Sequence, residues 1–314
     1  MSHLVETMAY VGEVPWHGLG TQLPQGVTPR EMQIAAGLDC RVERKPLVWL
    51  DEDGQANGSN HVALVRSDNQ RTLDVVPDDW IDFQNDDAAE FFVDFINQGE
   101  GTMETAGSLR EGRHTWFLAR MQAEGEVVKG DLQRSYLLLS NPHQYGKSIT
   151  CMLTPIRVVC NNTITWALNK ASEQLTTKFS HRTGFDAEEA ALAVRYADQR
   201  FGEYLDQAKF IANIRASRDA VIRFLDQLFP ATGEKAERKE LSSPGVEVLQ
   251  VLETQPGAQL AEGTWWQAYN AVTYGVDHLL GRSPETRLNS AWFGVGAGTK
   301  RRALELATKM AKAA

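Results

Sequence analysis

The hydrophobic pattern of this chain changes its period once, close to residue 186, and this change constrains the fold more than any other feature of the sequence. Before that point, short strand-like runs are separated by turn-forming pairs such as Asn57-Gly58. After it, Phe201, Leu205 and Ala208 recur at helical spacing. Strands first and helices afterwards are typical of the α+β class, here an antiparallel β-rich core followed by a helical C-terminal half.

Three segments follow from this pattern. Residues 1–45 form a Gly- and Pro-rich N-terminal arm with one short helix, which Thr28 caps and Pro29 opens. Residues 46–185 form a β-rich core with a basic hairpin, and residues 186–314 form a helical region. The core contains strand-like runs over three stretches: Pro46–Leu50, His61–Arg66 and Leu73–Val76.

Several helices are also expected. "DDAAEFFVDFINQG" predicts an amphipathic helix that ends before Gly99, and "NTITWALNKASEQL" predicts a second helix, with Trp166 on its buried face. Near the C-terminus, one helix starts close to Thr264 and a last one runs from about Thr299. The sequence "WFGVGAG" before Thr299 is interpreted as a flexible segment that leads into the last helix.

The composition favours a cytoplasmic protein. The chain has 314 residues, a formal charge of −9 and three cysteines, Cys40, Cys151 and Cys160, which are odd in number and form no CxxC pair. Such cysteines indicate free thiols in a reducing compartment. The N-terminal sequence lacks the features of a signal peptide, and no run approaches the ~20 apolar residues of a membrane span. We therefore expect residence in the cytoplasm of the host cell and no membrane partner.

The charges are distributed unevenly along the chain. Residues 74–104 contain ten carboxylates and no Lys or Arg, whereas residues 134–182 contain six cations against Glu173. The C-terminal segment is basic as well, with Lys300, Arg301, Arg302, Lys309 and Lys312 against Glu305. A groove lined by such cations would neutralise phosphates, and aromatic rings beside them would stack on bases. Charge runs are also common where a basic face meets an acidic face of the same chain or of a neighbouring subunit.

The candidate nucleic-acid-binding residues are therefore the six cations and two aromatic residues. Tyr145 lies in "NPHQYGKS", where a Pro- and Gly-bearing loop presents its side chains to solvent, and Phe179 lies in the basic stretch "KFSHRTGF". The full set is Arg134, Lys147, Arg157, Lys170, Lys178, Arg182, Tyr145 and Phe179.

Catalytic and metal-binding motifs are absent from the sequence. "GVGAGTKRR" matches neither the phosphate-binding loop GxxxxGK[ST] nor the dinucleotide motif GxGxxG, and the seven histidines have no metal-ligand spacing. We expect no cofactor, no bound metal and no enzymatic activity. One alternative remains open, a Mg²⁺-dependent nuclease that uses the pairs Asp78-Asp79 and Asp86-Asp87.

Three separated stretches together resemble one known family. They are "HLVETMAYVGEVPWHGLGT", "SYLLLSNPHQYGKSITCMLTPIRVVCNNTITWAL" with "HRTG" after it, and "WWQAYNAVTYGVDHLLG" with "SAWFGVGAGTKRRAL". The chain is similar to the phage/plasmid-like family that carries the domain of unknown function numbered 932. Where members often show "SHDGS", this chain has "PHQYGKS", which keeps His143 and loses the acidic residue. The resemblance implies an origin in a mobile element and transfers no catalytic residue.

These observations predict a mobile-element protein of DNA metabolism. We expect non-catalytic binding or annealing of single-stranded DNA, in outline similar to Rad52-like proteins, by a homo-oligomer whose acidic and basic surfaces pair head to tail. An alternative function is that of an interaction or anti-defence module, in which the acidic face of residues 74–104 docks on a host protein.

Overall fold

The computed structural model describes residues 5–12, 20–97, 99, 101–157, 162–163, 176–238, 240–281, 287, 290–292 and 294–314, with the backbone alone at residues 157, 162, 163, 193, 195, 197 and 198. The chain divides into two compact units built from interleaved segments. Unit 1 comprises Met1–Met121, Leu137–Leu153 and Thr176–Arg195, and unit 2 comprises Gln122–Tyr136, Thr154–Leu175 and Tyr196–Ala314. The division of the sequence at residues 45 and 185 stays a prediction.

Most of the strands belong to one sheet with the order β10-β9-β8-β7-β6-β1-β2, on which β11 pairs with β9, and a smaller sheet has the order β3-β4-β5. The described ladders are antiparallel, except that β1 and β2 pair in parallel. The strands are β1 Val5–Val11, β2 Thr21–Leu23, β3 Val42–Leu50, β4 Ala56–Arg66, β5 Thr72–Pro77, β6 Gly101–Leu109, β7 His114–Glu126, β8 Leu132–Pro142, β9 Ile149–Arg157, β10 Asn162–Thr163 and β11 Thr176–Phe179.

The smaller sheet is the predicted meander, with longer strands than the sequence indicated. Its buried side chains, among them Leu64, Leu73 and Val76, pack with Trp80 in one cluster. The outer half of the β3–β4 ribbon is exposed, and Trp49 near its tip has a relative exposure of 57%. A two-stranded ribbon without a packed face depends on the rest of its sheet for stability.

Two helices begin where their capping residues predict. Thr28 and Glu31 form a reciprocal capping box at the start of α1, with Pro29 as its first residue. Thr264 caps α8 by accepting a hydrogen bond from the Gln267 amide. The helices are α1 Pro29–Ala35, α2 Asn85–Asn97, α3 Ala187–Arg195, α4 Ala197–Ala212, α5 Arg218–Leu228, α6 Glu234–Glu237, α7 Ser243–Gln250, α8 Trp265–Tyr274 and α9 Val295–Lys312, with a 3₁₀ turn at Ala258–Ala261 and a π-helical turn at Gly275–Leu279.

Strands dominate the N-terminal half and most helices lie in the C-terminal half, so the predicted α+β class is confirmed. Within the described ranges, no helix combines the length and the apolar character that crossing a membrane requires. The helix predicted over "NTITWALNKASEQL" lies outside the described residues, apart from Asn162–Thr163, which form β10. Trp166 also lies outside them.

Unit 2 buries its polar groups in pairs. The Trp266 indole donates a 2.7 Å hydrogen bond to Asp131, and the Lys300 ammonium lies 2.7 Å from the Asp277 carboxylate with no exposed side-chain surface. Burial lowers the pKa of Lys300, against the effect of Asp277.

The glycine-rich stretch before Lys300 was expected to be a flexible lead-in. This prediction is wrong from Val295 onward, because α9 begins there and contains Gly296 and Gly298.

The cysteines of the described residues are free thiols, as the sequence predicts for this pair. Cys151 is buried, and burial raises the pKa of its thiol to about 12. Cys40 is partly exposed and its pKa is raised by burial as well. Neither thiol is activated, because a reactive cysteine requires a lowered pKa. Cys160 lies outside the described residues.

Candidate nucleic-acid interface

The two loops that carry Lys147 and Arg182 lie at the same end of one strand pair. β11 runs antiparallel to β9, and Phe179 pairs with Ile149 at the end of this ladder. The loop before β9 and the turn after β11 therefore leave the sheet at the same place. Lys147 and Arg182 are exposed there. The fold thus brings together two cations that are separated by 35 positions in the sequence.

Trp80 holds these two loops in place. Its ring stacks on His181 of the turn, with centroids 4.0 Å apart and planes within 11°, and lies 6.5 Å from the ring of Tyr145 in the loop. The Ile81 amide donates a 2.6 Å hydrogen bond to the His181 carbonyl, and the His181 Nδ1 lies 3.0 Å from the Ile81 carbonyl. Trp80 is buried, whereas the Tyr145 side chain is 56% exposed. Tyr145 is thus the aromatic ring that this site presents to solvent.

Arg44 adds a cation that sequence reasoning missed. It extends from β3 and donates hydrogen bonds to the carbonyl oxygens of Trp80, at 2.9 Å, and Asp78. Lys178 is exposed at the second residue pair of the β9–β11 ladder, opposite Thr150. We call this group of exposed side chains the Trp80 surface: Arg44, Tyr145, Lys147, Lys178 and Arg182.

Carboxylates also lie at this surface. Asp74 of β5 accepts a 2.8 Å hydrogen bond from the Tyr145 amide and thereby fixes the loop. Asp78 and Asp79 are exposed in the turn that precedes Trp80. The Trp80 surface therefore has a mixed charge, in which cations surround one exposed aromatic ring.

Buried histidines lie in the same unit and contribute no charge at neutral pH. Burial lowers the pKa of His143 to about 3 and that of His114 to about 4, and it also lowers the pKa of His181. The Nε2 atom of His114 lies 2.6 Å from the hydroxyl of Ser140. No group of three or more His, Cys, Asp or Glu side chains in the described residues has an arrangement that would hold a metal ion.

Phe179 was predicted to stack on bases, and this prediction is wrong. Its side chain is 4% exposed and its ring packs edge to face on Phe185, with centroids 4.8 Å apart. Neighbouring residues of a strand point to opposite faces, so the exposed position of Lys178 requires Phe179 to point inward.

The remaining predicted cations lie in unit 2 or outside the described residues. Arg134 lies in the part of β8 that belongs to unit 2, where its guanidinium is 3.4 Å from the Glu124 carboxylate. Only the backbone of Arg157 is described, in the part of β9 that belongs to unit 2. Lys170 lies outside the described residues.

One of the two carboxylate pairs that the nuclease alternative would use, Asp86-Asp87, has structural partners. Asp86 accepts a 2.7 Å hydrogen bond from Gln33 and forms an ion pair with Arg30, and these contacts lower its pKa. Asp87 accepts a 2.9 Å hydrogen bond from the Gln84 amide at the start of α2. Both side chains therefore support the packing and the N-terminus of α2.

No curated protein and no solved structure matches this chain. A family model described as "Domain of unknown function (DUF932)" matches residues 72–292, which is more than half of the chain. The match includes every residue of the Trp80 surface except Arg44. The chain belongs to the DUF932 family, a family of domains of unknown function.

Proposed function

We propose that this protein binds single-stranded DNA, without catalysis, through the Trp80 surface. The convergence of Lys147, Arg182 and Tyr145 on one end of the β9–β11 ladder is the observation that carries the proposal. In this role, the cations neutralise phosphates and Tyr145 stacks on an unpaired base, an interaction that contributes about 1–3 kcal/mol.

The chemistry of the surface favours a single strand over a duplex. A tyrosine ring can stack only on a base whose face is free, and the bases of a duplex are already stacked on one another. Lys and Arg bind the phosphate backbone irrespective of sequence, so we expect weak sequence preference. Binding of this kind would suit the annealing or protection of strands in the DNA metabolism of a phage or plasmid, as the resemblance to phage/plasmid-like proteins and the outline of Rad52-like proteins suggest.

The test is fluorescence anisotropy with labelled single- and double-stranded oligonucleotides at two salt concentrations. We expect the wild-type chain to bind the single strand more tightly, and binding to strengthen as salt is lowered. The double substitution Lys147→Glu and Arg182→Glu removes two phosphate contacts, which lowers the slope of log affinity against log salt by about 1.4. Tyr145→Ala weakens binding by about 1–3 kcal/mol with little effect on that slope.

A matched control is the double substitution Lys235→Glu and Arg238→Glu on α6, where both side chains are exposed and the change in net charge is the same. We expect it to leave the affinity for DNA nearly unchanged. Equal weakening in the two charge-reversal variants, or no binding by the wild type, would refute the proposal. Cleavage of the strand on addition of Mg²⁺ would instead favour a nuclease.

A further inference from the structure

Unit 1 also contains a concave surface that is strongly acidic. It is an open groove of about 610 Å³ between residues 81–83, α2 and residues 184–194. Four aromatic rings line it: Phe83, Phe91, Phe95 and Phe185. The ring of Phe185 lies 4.5 Å from Phe83 and 5.6 Å from Phe91, centroid to centroid. The groove therefore has the size and the apolar lining of a binding site.

Five carboxylates surround these rings: Asp82, Asp87, Glu90, Asp94 and Glu188. None of them forms an ion pair with a Lys or Arg within the described part of the chain. Asp87, Glu90 and Asp94 follow one another at helical spacing on α2, so they repel one another. The Oδ1 atom of Asp82 is buried without a hydrogen-bond partner. We call this surface the acidic groove.

Phenylalanine side chains surrounded by carboxylates without an ion-pair partner complement a cationic segment with long side chains. The stems of Lys and Arg pack on phenylalanine rings, their heads reach the carboxylates, and a cation above a ring is attracted to its face. The tip of the β3–β4 ribbon also exposes apolar side chains, but it does not suit the groove. Its turn carries Asp51, Glu52 and Asp53, which the carboxylates of the groove would repel.

α9 presents the complementary chemistry. Its buried side, which includes Ala303 and Leu304, packs within unit 2. Its other side exposes Val295, at 80%, and four cations against the single carboxylate of Glu305. The cations are Arg301, Arg302, Lys309 and Lys312, and none of them forms an ion pair with a described residue.

We propose that the exposed face of α9 in one copy of this chain docks in the acidic groove of a second copy. The two surfaces differ, so the contact is head to tail, and its repetition builds a ring or a filament. This proposal does not rest on DNA binding.

The test uses two variants of the full chain and measures mass in solution by light scattering. Glu90→Lys, Asp94→Lys and Glu188→Lys together reverse the groove, which then carries three lysines against two carboxylates. Arg302→Glu with Lys309→Glu reverses the helix, and all five side chains are exposed. We expect the wild type to assemble in low salt. Each variant alone should have the 35.0 kDa mass of a single chain, because its groove and helix now repel each other.

Mixing the two variants is the decisive step. The basic helix of the first fits the acidic groove of the second, and the reversed helix of the second fits the reversed groove of the first. We therefore expect assembly to return when two monomeric variants are combined. A monomeric wild type in low salt, variants that stay assembled, or a mixture that stays monomeric would each overturn the proposal.

Two further variants separate docking from folding. Glu234→Lys, Glu237→Lys and Glu240→Lys make the same change in charge on α6 and just after it, where all three side chains are exposed, and should leave assembly intact. Gly298→Leu tests the helix face without changing charge, because a Cβ atom at Gly298 meets no atom within 4 Å in its own chain. We expect this variant to fold and to assemble at least tenfold more weakly. Unchanged assembly of Gly298→Leu would contradict docking of this face.

Discussion

The four-residue segment 80–83 supports the Trp80 surface through Trp80 and lines the acidic groove through its other residues, yet the two surfaces differ in chemistry. Trp80 supports exposed cations around Tyr145, whereas Asp82 and Phe83 belong to a groove of carboxylates and phenylalanine rings. Both lie in unit 1, which contains 23 acidic and 13 basic residues, whereas unit 2 contains 18 and 19. A unit with a large net negative charge can therefore present a basic site, because local surfaces depend on which side chains the fold brings together.

The comparison also shows why charge windows along a sequence mislead. The acidic window supplies most of the groove, but it also supplies Trp80, which organises the cationic surface. Arg44 reaches that surface from a strand outside both windows. Lys300, in turn, counted toward the basic C-terminal segment, but it is buried against Asp277 and contributes nothing to the exposed face of α9.

The largest effect should come from Trp80→Ala, which breaks both sites. Trp80 is 6% exposed, packs with Leu64, Leu73 and Val76, and stacks on His181. Truncation of a buried tryptophan costs about 3–5 kcal/mol. We expect urea denaturation to show a loss of this size. The affinity for single-stranded DNA and the assembly of the chain should fall together, because residues 80–83 position both surfaces.

Trp49→Ala is the matched control, since Trp49 is 57% exposed near the tip of the β3–β4 ribbon. Its removal should change the free energy of unfolding by less than about 0.5 kcal/mol. Similar losses in the two variants would show that Trp80 is not the packing centre that the structure indicates.

Much of the fold could be predicted from local signals. Thr28-Pro29 and Thr264 marked helix starts because capping is a contact between residues three positions apart. The β6–β7 hairpin also turns at a local signal, the glycine of Glu111-Gly112, and Arg110, Glu111 and Gly112 adopt positive φ values there. The glycine-rich start of α9 was misjudged, since tertiary packing of its buried face offsets the low helix propensity of its glycines.

The site was harder to predict because it depends on contacts between distant parts of the chain. Nothing near Arg44 in the sequence indicates that its guanidinium binds the carbonyl of Trp80, 36 positions away. The error at Phe179 was avoidable. In the strand "TTKF", Lys178 and Phe179 must face opposite sides, so the two could not serve one surface.

Acidification should destabilise unit 1, which contains two buried neutral histidines. The pKa of His143 is lowered to about 3 and that of His114 to about 4, so between pH 6.5 and 4 the unfolded chain binds protons that the folded chain excludes. Stability therefore falls as pH falls through this range, by about 1.4 kcal/mol per pH unit for each histidine. Urea denaturation at pH 6.5 and pH 5 should show a loss of about 2 kcal/mol for each histidine.

His143→Gln provides the check on this assignment. The variant is expected to be less stable at every pH, but the loss between pH 6.5 and pH 5 should shrink by about 2 kcal/mol, because one titrating group is gone. An unchanged pH dependence would mean that His143 is not held neutral by burial. Asp68 and Asp86 should contribute little to the change in stability between pH 6.5 and pH 5, because their pKa values are lowered from an already acidic value.

Asp82→Asn should have a smaller effect of the opposite sign. Burial raises the pKa of Asp82, and Arg44 only partly compensates. A carboxylate whose pKa is raised on folding destabilises the folded chain when it is ionised. Removal of the charge should therefore increase stability at pH 7 by about 0.5–1 kcal/mol, after allowance for solvent screening at a half-buried site. Asp79→Asn, at an exposed neighbour, should change it by less than about 0.3 kcal/mol.

The smallest effect should come from Glu90→Gln, which tests whether the carboxylates of the acidic groove repel one another when no basic helix is bound. Glu90 lies three residues after Asp87 and four before Asp94, and each like-charge pair on a helix costs about 0.2–0.5 kcal/mol. We expect Glu90→Gln to remove both pairs, to stabilise the chain by about 0.4–1 kcal/mol in low salt and to lose the effect in high salt. The measurement belongs in the Arg302→Glu, Lys309→Glu background, because there self-assembly adds nothing to stability.

Glu234→Gln gives the contrast: Glu234 lies 3.5 Å from Arg238, an opposite charge at the same helical spacing, so its neutralisation should be slightly destabilising. Equal signs in the two variants would mean that the carboxylates of α2 are too well solvated to repel one another, and the groove would then gain little from binding a basic helix.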